Sequence, residues 1–159
     1  MNAALDRETA SRTDDHQALR LWLRLLTCSQ LIEREVRARL QQRFATTLPR
    51  FDLMSQLWRY PGGLKMNELS RHLMVTGGNV TGIVDQLEKE GMVERAAEPA
   101  DRRAYRVRLT RAGRKSFGEM ARAHEGWIVD SLAGLSRREQ ADIYRLLAKV
   151  KEATLEAAP

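Results

Sequence analysis

Residues 65–110 constrain the fold more than any other part of the chain, because their apolar period changes from that of a helix to that of a strand. The first part, KMNELSRHLMVTGGNVTGIVDQLEKEG, has helical spacing on both sides of a glycine-rich break, which predicts two short helices. The second part, MVERAAEPADRRAYRVRLT, alternates at Tyr105, Val107 and Leu109, which predicts a strand. The sequence EPAD at 98–101 predicts the loop of a hairpin with a basic tip.

Amphipathic helices flank this segment on both sides. Apolar residues at three- and four-residue steps predict a long helix over 17–44, which the sequence TTLPR ends, and a shorter helix that the YPGG turn at 60–63 ends. After the hairpin, Thr110 is a candidate N-cap, and Ser136 and Glu139 have capping-box spacing before a last helix. That last helix has an apolar stripe at Ile143, Leu146, Leu147 and Val150. The predicted order is therefore four helices, a hairpin and two helices.

The distribution of charge favours a polyanionic partner. The chain has 159 residues, consistent with a single domain, and its 27 Lys and Arg against 21 Asp and Glu give a net charge of +6. Residues 94–115 hold eight basic and three acidic residues, so most of the excess lies in and beside the hairpin. No apolar run approaches the ~18 residues of a membrane span, and the first residues are polar and acidic. We expect a cytoplasmic protein without a membrane partner.

Motifs for catalysis or metal binding are absent from the sequence. It has no GxSxG, P-loop or HExxH pattern, and His16, His72 and His124 share no ligand spacing. Cys28 is the only cysteine, so there is no intrachain disulfide and no cysteine-based zinc site. We expect no enzyme activity, no catalytic residues, no metal and no cofactor. For Cys28 itself we expect buried packing, with a peroxide-sensing thiol as the alternative.

The helix after the glycine-rich break has two contrasting faces. Its apolar residues Val80, Ile83, Val84 and Leu87 are spaced to pack on the body of the protein. The opposite face carries Gly78, Gly82, Asp85 and Lys89, flanked by Asn79, Thr81 and Gln86. Each glycine in a helix costs about 1 kcal/mol. Such residues indicate close approach to another surface, for which a DNA groove is one candidate and tight helix packing inside the protein is the alternative.

The hairpin tip carries the sequence Asp101-Arg102-Arg103. Arginine suits a narrow minor groove, where the negative potential is enhanced, and the adjacent aspartate can hold the guanidinium in position. The alternative is a solvated loop. Its location directly after the glycine-rich helix favours contact with DNA.

The sequence LKMNELSRHLMVTGGNVTGIVDQLEKEGMVERAAEPADRRAYRVRLTRAGRK resembles the winged helix-turn-helix core of the MarR family of bacterial regulators. A looser resemblance covers about residues 17–152. One departure is Lys65, which stands where similar sequences commonly have Thr or Ser as the cap of the third helix. This departure leaves the start of that helix open, with Asn67 two residues further on.

The resemblance implies a mainly α fold with a small β-hairpin wing, which forms a homodimer through its N- and C-terminal helices. We expect a flexible arm at 1–15, dimerisation helices at 16–46 and 111–155, and a winged helix-turn-helix domain at 47–110. The fourth helix would enter the major groove and the wing the minor groove of double-stranded DNA at a pseudo-palindromic operator. The implied DNA-binding residues are Thr76, Gly77, Gly78, Asn79, Thr81, Gly82, Gln86, Asp101, Arg102 and Arg103.

Proteins that resemble this one bind small carboxylates and phenolics where the dimer helices meet the DNA-binding domain. The resemblance therefore implies a repressor released by a small molecule, with an aromatic acid or its coenzyme A thioester as the candidate. The residues expected at this pocket are Trp22, Arg24, Leu26, Arg50, Phe51, Met54, Trp58 and Arg59. The alternative is that its aromatic residues are ordinary core. For the whole protein, the alternative is an architectural, sequence-neutral nucleic-acid-binding protein.

Overall fold

A computed structural model of the protein describes residues 17–73, 77–98 and 101–157. Within these ranges the chain forms six α-helices and two β-strands in the predicted order, which confirms the mainly α fold with a β-hairpin. The elements are α1 Gln17–Phe44, α2 Leu48–Arg59, α3 Met66–His72, α4 Gly77–Lys89, β1 Val93–Glu98, β2 Asp101–Leu109, α5 Arg111–Ser131 and α6 Arg137–Glu156. The arm predicted at 1–15 lies outside the described residues.

The chain divides into two compact units, residues 1–124 and 125–159, so α5 contributes to both. The first unit is built around α2, α3, α4 and the hairpin. Its core consists of aliphatic residues that are almost completely shielded from water, which is the main favourable contribution to folding. They include Leu53 and Leu57 of α2, Leu69 of α3, Val80, Val84 and Leu87 of α4, and Val93 and Val107 of the hairpin. The predicted domain division at residue 110 stays a prediction.

The break between α1 and α2 is shorter than predicted. Only residues 45–47 separate the two helices, and Ala45 has a φ of 49° in the left-handed region that ends a helix. The residues Leu48 and Pro49, expected to lie in the break, instead form the first turn of α2. Proline is accepted there because the first N–H groups of a helix have no intrahelical partner.

The third helix begins at Met66 although Lys65 cannot act as a side-chain acceptor. The Lys65 backbone N–H donates to the Glu68 carboxylate at 2.7 Å, so the third residue of the helix performs the cap. The same device at α6 uses both partners, because Ser136 N–H donates to Glu139 Oε2 at 2.8 Å and Glu139 N–H donates to Ser136 Oγ at 3.3 Å. The predicted capping box of the last helix is confirmed.

Thr110 caps α5 as predicted, since the Gly113 N–H donates to Thr110 Oγ1 at 3.0 Å. Gly113 itself was not singled out from the sequence. A Cβ atom at this position would lie 1.9 Å from the carbonyl oxygen of Met92, so only glycine allows α5 to approach the loop that leads into β1. The Thr110 hydroxyl also donates to the Gly91 carbonyl at 2.6 Å. These contacts fix the start of α5 against the base of the hairpin.

The hairpin pairs antiparallel from Val93 opposite Leu109 to Ala97 opposite Tyr105. A register shift after Ala97 then places Glu98 opposite Asp101. The expectation that Glu98 and Asp101 belong to the loop is therefore wrong, because strand pairing continues past the shift, so that β1 ends at Glu98 and β2 begins at Asp101. Residues 99 and 100 lie outside the described residues. Leu64 adds a short bridge to the outer side of β2, exchanging two backbone hydrogen bonds with Val107 at 2.8 and 2.9 Å.

The second unit contains α6, which has no buried residue. The stripe Ile143, Leu146, Leu147 and Val150 is 40–51% exposed within this single chain. In the first unit, α1 buries only Val36 and Leu40, and Cys28 on this helix is exposed. The expectation that Cys28 is buried is therefore wrong for the isolated chain. None of the helices in the described ranges is long and apolar enough to cross a membrane.

Candidate nucleic-acid interface

The two faces of α4 are separated as predicted. Val80, Ile83, Val84 and Leu87 are at most 5% exposed and anchor the helix on the core. Asn79, Thr81, Gly82 and Gln86 are exposed on the outer side. Gly77 and Gly78 form the start of the helix, and Thr76 lies outside the described residues.

Gly82 distinguishes between the two explanations for the glycines of α4. A Cβ atom added at Gly82 would meet no atom within 4 Å. Packing of α4 inside the protein therefore does not require glycine at this position. Because glycine has no side chain, the helix backbone at Gly82 is uncovered, and another molecule can approach it closely.

The wing residues open the second strand. The backbone of Asp101, Arg102 and Arg103 forms the first three residues of β2, and the Asp101 side chain is exposed. They follow residues 99 and 100 directly, so they lie at the far end of the hairpin from its base at Val93 and Leu109. The strand thus brings the predicted wing residues to the end of the hairpin that is most distant from the core.

Arg95 connects the hairpin to α4. Its guanidinium donates to the Asp85 carboxylate and to the Glu88 carboxylate of α4, and it lies 5.3 Å from the ring centre of Tyr105 on β2. The hydrogen bond with Asp85 contributes most to raising the pKa of Arg95 above its ordinary value. The sequence analysis assigned Asp85 to the outer face of α4 and missed its pairing with Arg95. Ten residues separate the pair, and no periodicity rule predicts the contact.

Arg106 connects the hairpin to the start of α3. Its Nε donates to Glu98 at 2.7 Å within the hairpin, and its Nη1 donates to the Gly63 carbonyl at 3.2 Å. Nη1 also lies 3.7 Å from the Glu68 carboxylate that caps α3. The backbone hydrogen bond from Lys65 is the largest cause of the lowered pKa of Glu68, and Arg106 lowers it further. The cap of α3 is therefore electrostatically linked to the hairpin.

The residues predicted for an effector pocket are distributed over different environments. Phe51 and Met54 are buried, and Phe51 packs its ring 5.3 Å from Phe117 and 4.9 Å from His124 of α5. The ring of Trp58 lies 5.4 Å from Phe117 as well. The burial of Phe51 and Met54, together with the ring contacts of Phe51, supports the alternative of ordinary core.

The other predicted pocket residues lie nearer the surface. Trp22, Arg24 and Arg59 are exposed, and Leu26 is half-buried. Arg50 of α2 is paired with Glu90 beside the end of α4, and its Nε is buried without a hydrogen-bond partner in the described structure. Arg50 is thus part of the contact between α2 and the end of α4.

A cleft of about 600 Å³ opens between α1, α2 and the end of α3. It is lined by Glu33, Arg37, Leu48, Pro49, Asp52, Gln56, His72 and Leu73, none of which was predicted for a pocket. Arg37 is bound to Glu33 at 2.6 Å. Partial burial raises the pKa of Asp52, while Arg37 and His124 nearby lower it. The spacing of Glu33 and Arg37 predicts their pairing, but only the tertiary fold brings Asp52 and His72 to them.

Comparisons of sequence and of structure with known proteins point to the same family. A sequence model of the MarR family matches residues 46–105, from the end of the α1–α2 break into β2. The HTH-type transcriptional regulator YkoM of Bacillus subtilis is 32% identical over 88 residues, which are 55% of this chain and 57% of YkoM. The match therefore spans little more than half the length of that relative.

Two solved structures extend the similarity over most of the chain. A MarR family transcriptional regulator from Silicibacter pomeroyi is 32% identical, with a TM-score of 0.73 over 90% of this chain and 99% of that protein. Sco3205 from Streptomyces coelicolor, solved in complex with DNA, shares the fold with a TM-score of 0.74 over 90% of both chains at 22% identity. The chain therefore belongs to the MarR family of transcriptional regulators, and its fold is the winged helix-turn-helix.

Proposed function

We propose that the protein is a sequence-specific DNA-binding repressor that acts as a homodimer in the cytoplasm. The observation that carries this proposal is the outer face of α4, where exposed Asn79, Thr81 and Gln86 surround Gly82 and its open space. Short hydroxyl and amide side chains can donate to and accept from base edges in the major groove. The structure of Sco3205 with DNA supports the proposal through the shared fold.

The wing supplies the second contact in this proposal. Asp101, Arg102 and Arg103 begin β2 at the far end of the hairpin. An arginine in a narrow minor groove gains from the enhanced negative potential there. The wing and α4 would then contact adjacent grooves of one half-site, with Thr76, Gly77 and Gly78 at the end of α4 that approaches the DNA.

The homodimer explains the uncovered apolar surfaces. The α6 stripe and the residues Leu19, Leu21, Trp22 and Leu31 of α1 are exposed apolar side chains in the part of the chain that the structure describes. Contiguous apolar patches on a protein surface mark interaction sites. A pseudo-palindromic operator requires two copies of α4 about 34 Å apart, which a two-fold dimer through these helices could supply.

A footprinting experiment tests the DNA-binding proposal. Duplexes selected from a random library by the full-length protein should converge on a pseudo-palindrome, and the protein should protect a site of defined length. Affinity for the selected site should exceed affinity for random duplex by about 10³-fold or more. An architectural, sequence-neutral nucleic-acid-binding protein would instead yield no consensus and equal affinities, since phosphate contacts carry no sequence information.

We further propose that a small molecule releases the repressor from DNA, with an aromatic carboxylate or its coenzyme A thioester as the first class to test. The basis for this class is a shallow depression on the surface of α1, where Arg20 and Arg24 lie beside Gln17 and Leu21 and could pair with a carboxylate. The larger cleft at α1 and α2 has different chemistry. There Glu33 already binds Arg37 and Asp52 adds a carboxylate, so an anion is disfavoured.

A ligand panel distinguishes these sites. Benzoates, hydroxycinnamates and their thioesters should release operator DNA, and replacing Arg20 and Arg24 with Ala should abolish the response, while Arg34→Ala on the same helix serves as the control. By linkage, operator DNA should weaken ligand binding by the same factor. Release by benzylamine and not by benzoate, lost in Asp52→Asn, would instead assign the effector to the larger cleft and exclude the aromatic acid.

A further inference from the structure

Arg95 is not one of the proposed DNA-contacting residues, yet it binds side chains on two different elements. On one side it donates to Asp85 and Glu88 of α4, and on the other its guanidinium lies 5.3 Å from the ring of Tyr105. One side chain therefore ties the first strand of the wing to the helix proposed to enter the major groove.

The geometry of this contact restricts the hairpin in direction as well as in distance. Asp85 and Glu88 are three residues apart, so they lie on neighbouring positions of one helix face. The planar guanidinium reaches both with separate nitrogens, Nη2 to Asp85 and Nη1 to Glu88. The Arg95 side chain is only 22% exposed, whereas Asp85 and Glu88 are 50% and 38% exposed, so the arginine is held against the protein while the carboxylates stay partly in water. A two-point contact of this kind limits the rotation of β1 relative to α4.

Two other arginines of the hairpin provide a contrast. Arg106 fixes the hairpin to Gly63 and to the cap of α3 instead of to α4. Arg108 pairs with Glu94 across the two strands at 2.6 Å, and both side chains are nearly half exposed. Of these three arginines, Arg95 is the one that bonds to α4.

Electrostatics alone predicts the opposite effect from positioning. Asp85 and Glu88 are acidic residues on a helix proposed to face DNA, and carboxylates repel phosphates. If Arg95 served only to neutralise them, removing both carboxylates would strengthen DNA binding. If the contact positions the wing, removing the same carboxylates would weaken DNA binding.

We propose that Arg95 is a positioning residue for DNA binding, which fixes the wing relative to α4 so that both contact one operator half-site together. The inference rests on the proposed function, because it requires α4 and the wing to contact DNA. Arg95 itself acts through Asp85, Glu88 and Tyr105 and need not touch the DNA.

The first experiment compares two arginines of the same hairpin. The variant Arg95→Met and the control Arg108→Met each remove one positive charge from the wing, and both are compared with the full-length wild-type protein. Binding to the library-selected operator is measured by fluorescence anisotropy, and folding by thermal melting of the circular dichroism signal. We expect Arg95→Met to lose about tenfold or more in operator affinity, as coupled contacts typically do, and Arg108→Met less than about threefold. Equal losses in both variants would overturn the proposal.

The second experiment uses the sign of the effect. The double variant Asp85→Asn with Glu88→Gln keeps the size of both side chains and removes both charges. We expect weaker operator binding and a smaller sensitivity to base changes in the narrow minor groove. Tighter binding would overturn the proposal and would leave Arg95 as a neutralising charge only.

The third experiment measures coupling between Arg95 and the wing tip. Arg103→Ala should weaken operator binding by about tenfold in the wild-type background, in keeping with the loss of one arginine contact. In the Arg95→Met background the same change should cost less than about threefold, because a displaced wing has little contact left to lose. Additive losses would contradict a positioning role.

The conservative variant Arg95→Lys keeps the measurement possible if Arg95→Met unfolds. A lysine retains the charge but reaches one carboxylate at a time, so we expect partial recovery of affinity together with a wild-type melting curve. Full recovery would show that charge suffices and would overturn the proposal. If selection with the wild-type protein yields no operator sequence, the proposed function is refuted. This outcome differs from those that refute only the role of Arg95.

Discussion

The region formed by α4 and the hairpin differs from α6 in the burial of its apolar side chains and in the pairing of its charged side chains. In α4 the apolar residues are buried and its carboxylates Asp85 and Glu88 are paired with Arg95. In α6 the apolar stripe is exposed, no residue is buried, and the pair Arg145 with Asp142 is exposed as well. Both helices are amphipathic, but among the described residues only the apolar face of α4 is buried.

This difference separates what one chain completes from what a second molecule must complete. Burial of apolar surface stabilises by about 25 cal/mol per Å², so a helix whose apolar face stays in water gains little from packing. Helices are also marginal in isolation. The surface of α4 is therefore fixed before DNA binds, whereas α6 depends on the partner subunit of the proposed dimer.

The largest effect is expected when Leu146 and Val150 are both replaced with Ala. The variant should be monomeric, and operator affinity should fall by about 10²–10⁴-fold because the two half-sites are no longer bound by one molecule. Analytical ultracentrifugation and fluorescence anisotropy measure the two quantities. Glu152→Ala, on the opposite face of α6, is the control. A monomer that still protects the whole palindrome would contradict the comparison.

A stability measurement sharpens the same contrast. Leu57 is fully buried in the first unit, so Leu57→Ala should lower the free energy of unfolding by about 2–5 kcal/mol. Leu146→Ala should leave this free energy nearly unchanged when denaturation is measured at protein concentrations below the dissociation constant of the dimer. Equal losses for the two variants would show that α6 is packed within the single chain.

Replacing Gly82 with Leu tests the free surface of α4. A Cβ atom at this position meets nothing within 4 Å in the described structure, so replacing glycine should slightly stabilise the helix, by up to about 1 kcal/mol. Operator binding should nevertheless weaken by at least about 2 kcal/mol, because the side chain would occupy space taken by the groove wall. Gly82→Ala is the smaller matched change. Operator affinity that survives Gly82→Leu would remove this face of α4 from the interface.

The smallest effect concerns pH and is confined to the first unit. Burial lowers the pKa of His124, and Asp52 nearby opposes this shift. The unfolded chain therefore takes up the proton first, so stability present at neutral pH is lost as the pH falls through the ordinary histidine range. His124→Gln should flatten this part of the pH dependence of chemical denaturation. An unchanged slope would place the titrating group elsewhere.

Local patterns predicted the elements and several of their ends. The period of apolar residues gave α1 and the buried face of α4, and Ser136 with Glu139 gave the start of α6. The cap of α3 was not predictable from Lys65, because Glu68 performs it from within the helix. The extent of the hairpin loop was overestimated, since a register shift after Ala97 carries the pairing to Asp101.

Contacts between residues far apart in the sequence were harder to predict. Nothing in the spacing of Phe51, Phe117 and His124 predicts that their rings pack together, and this packing favours the interpretation of Phe51 as ordinary core. The cleft beside Asp52 combines three helices and was missed for the same reason. The exposure of Cys28 was not predictable either, because spacing along α1 does not tell which part of the helix is packed against other elements, and the buried residues of α1 are Val36 and Leu40.

The sequence by itself determined which residues form helices and strands, which face of α4 is apolar, and where the positive charge lies. These properties depend on residue type and on spacings of two to four positions, and both are legible along the chain. Only the tertiary structure decided that Asp85 and Glu88 are held by Arg95, that Gly113 admits α5 against Met92, and that the α6 stripe stays uncovered. Such facts depend on which elements meet in space, and side-chain periodicity within one element carries no information about its neighbours.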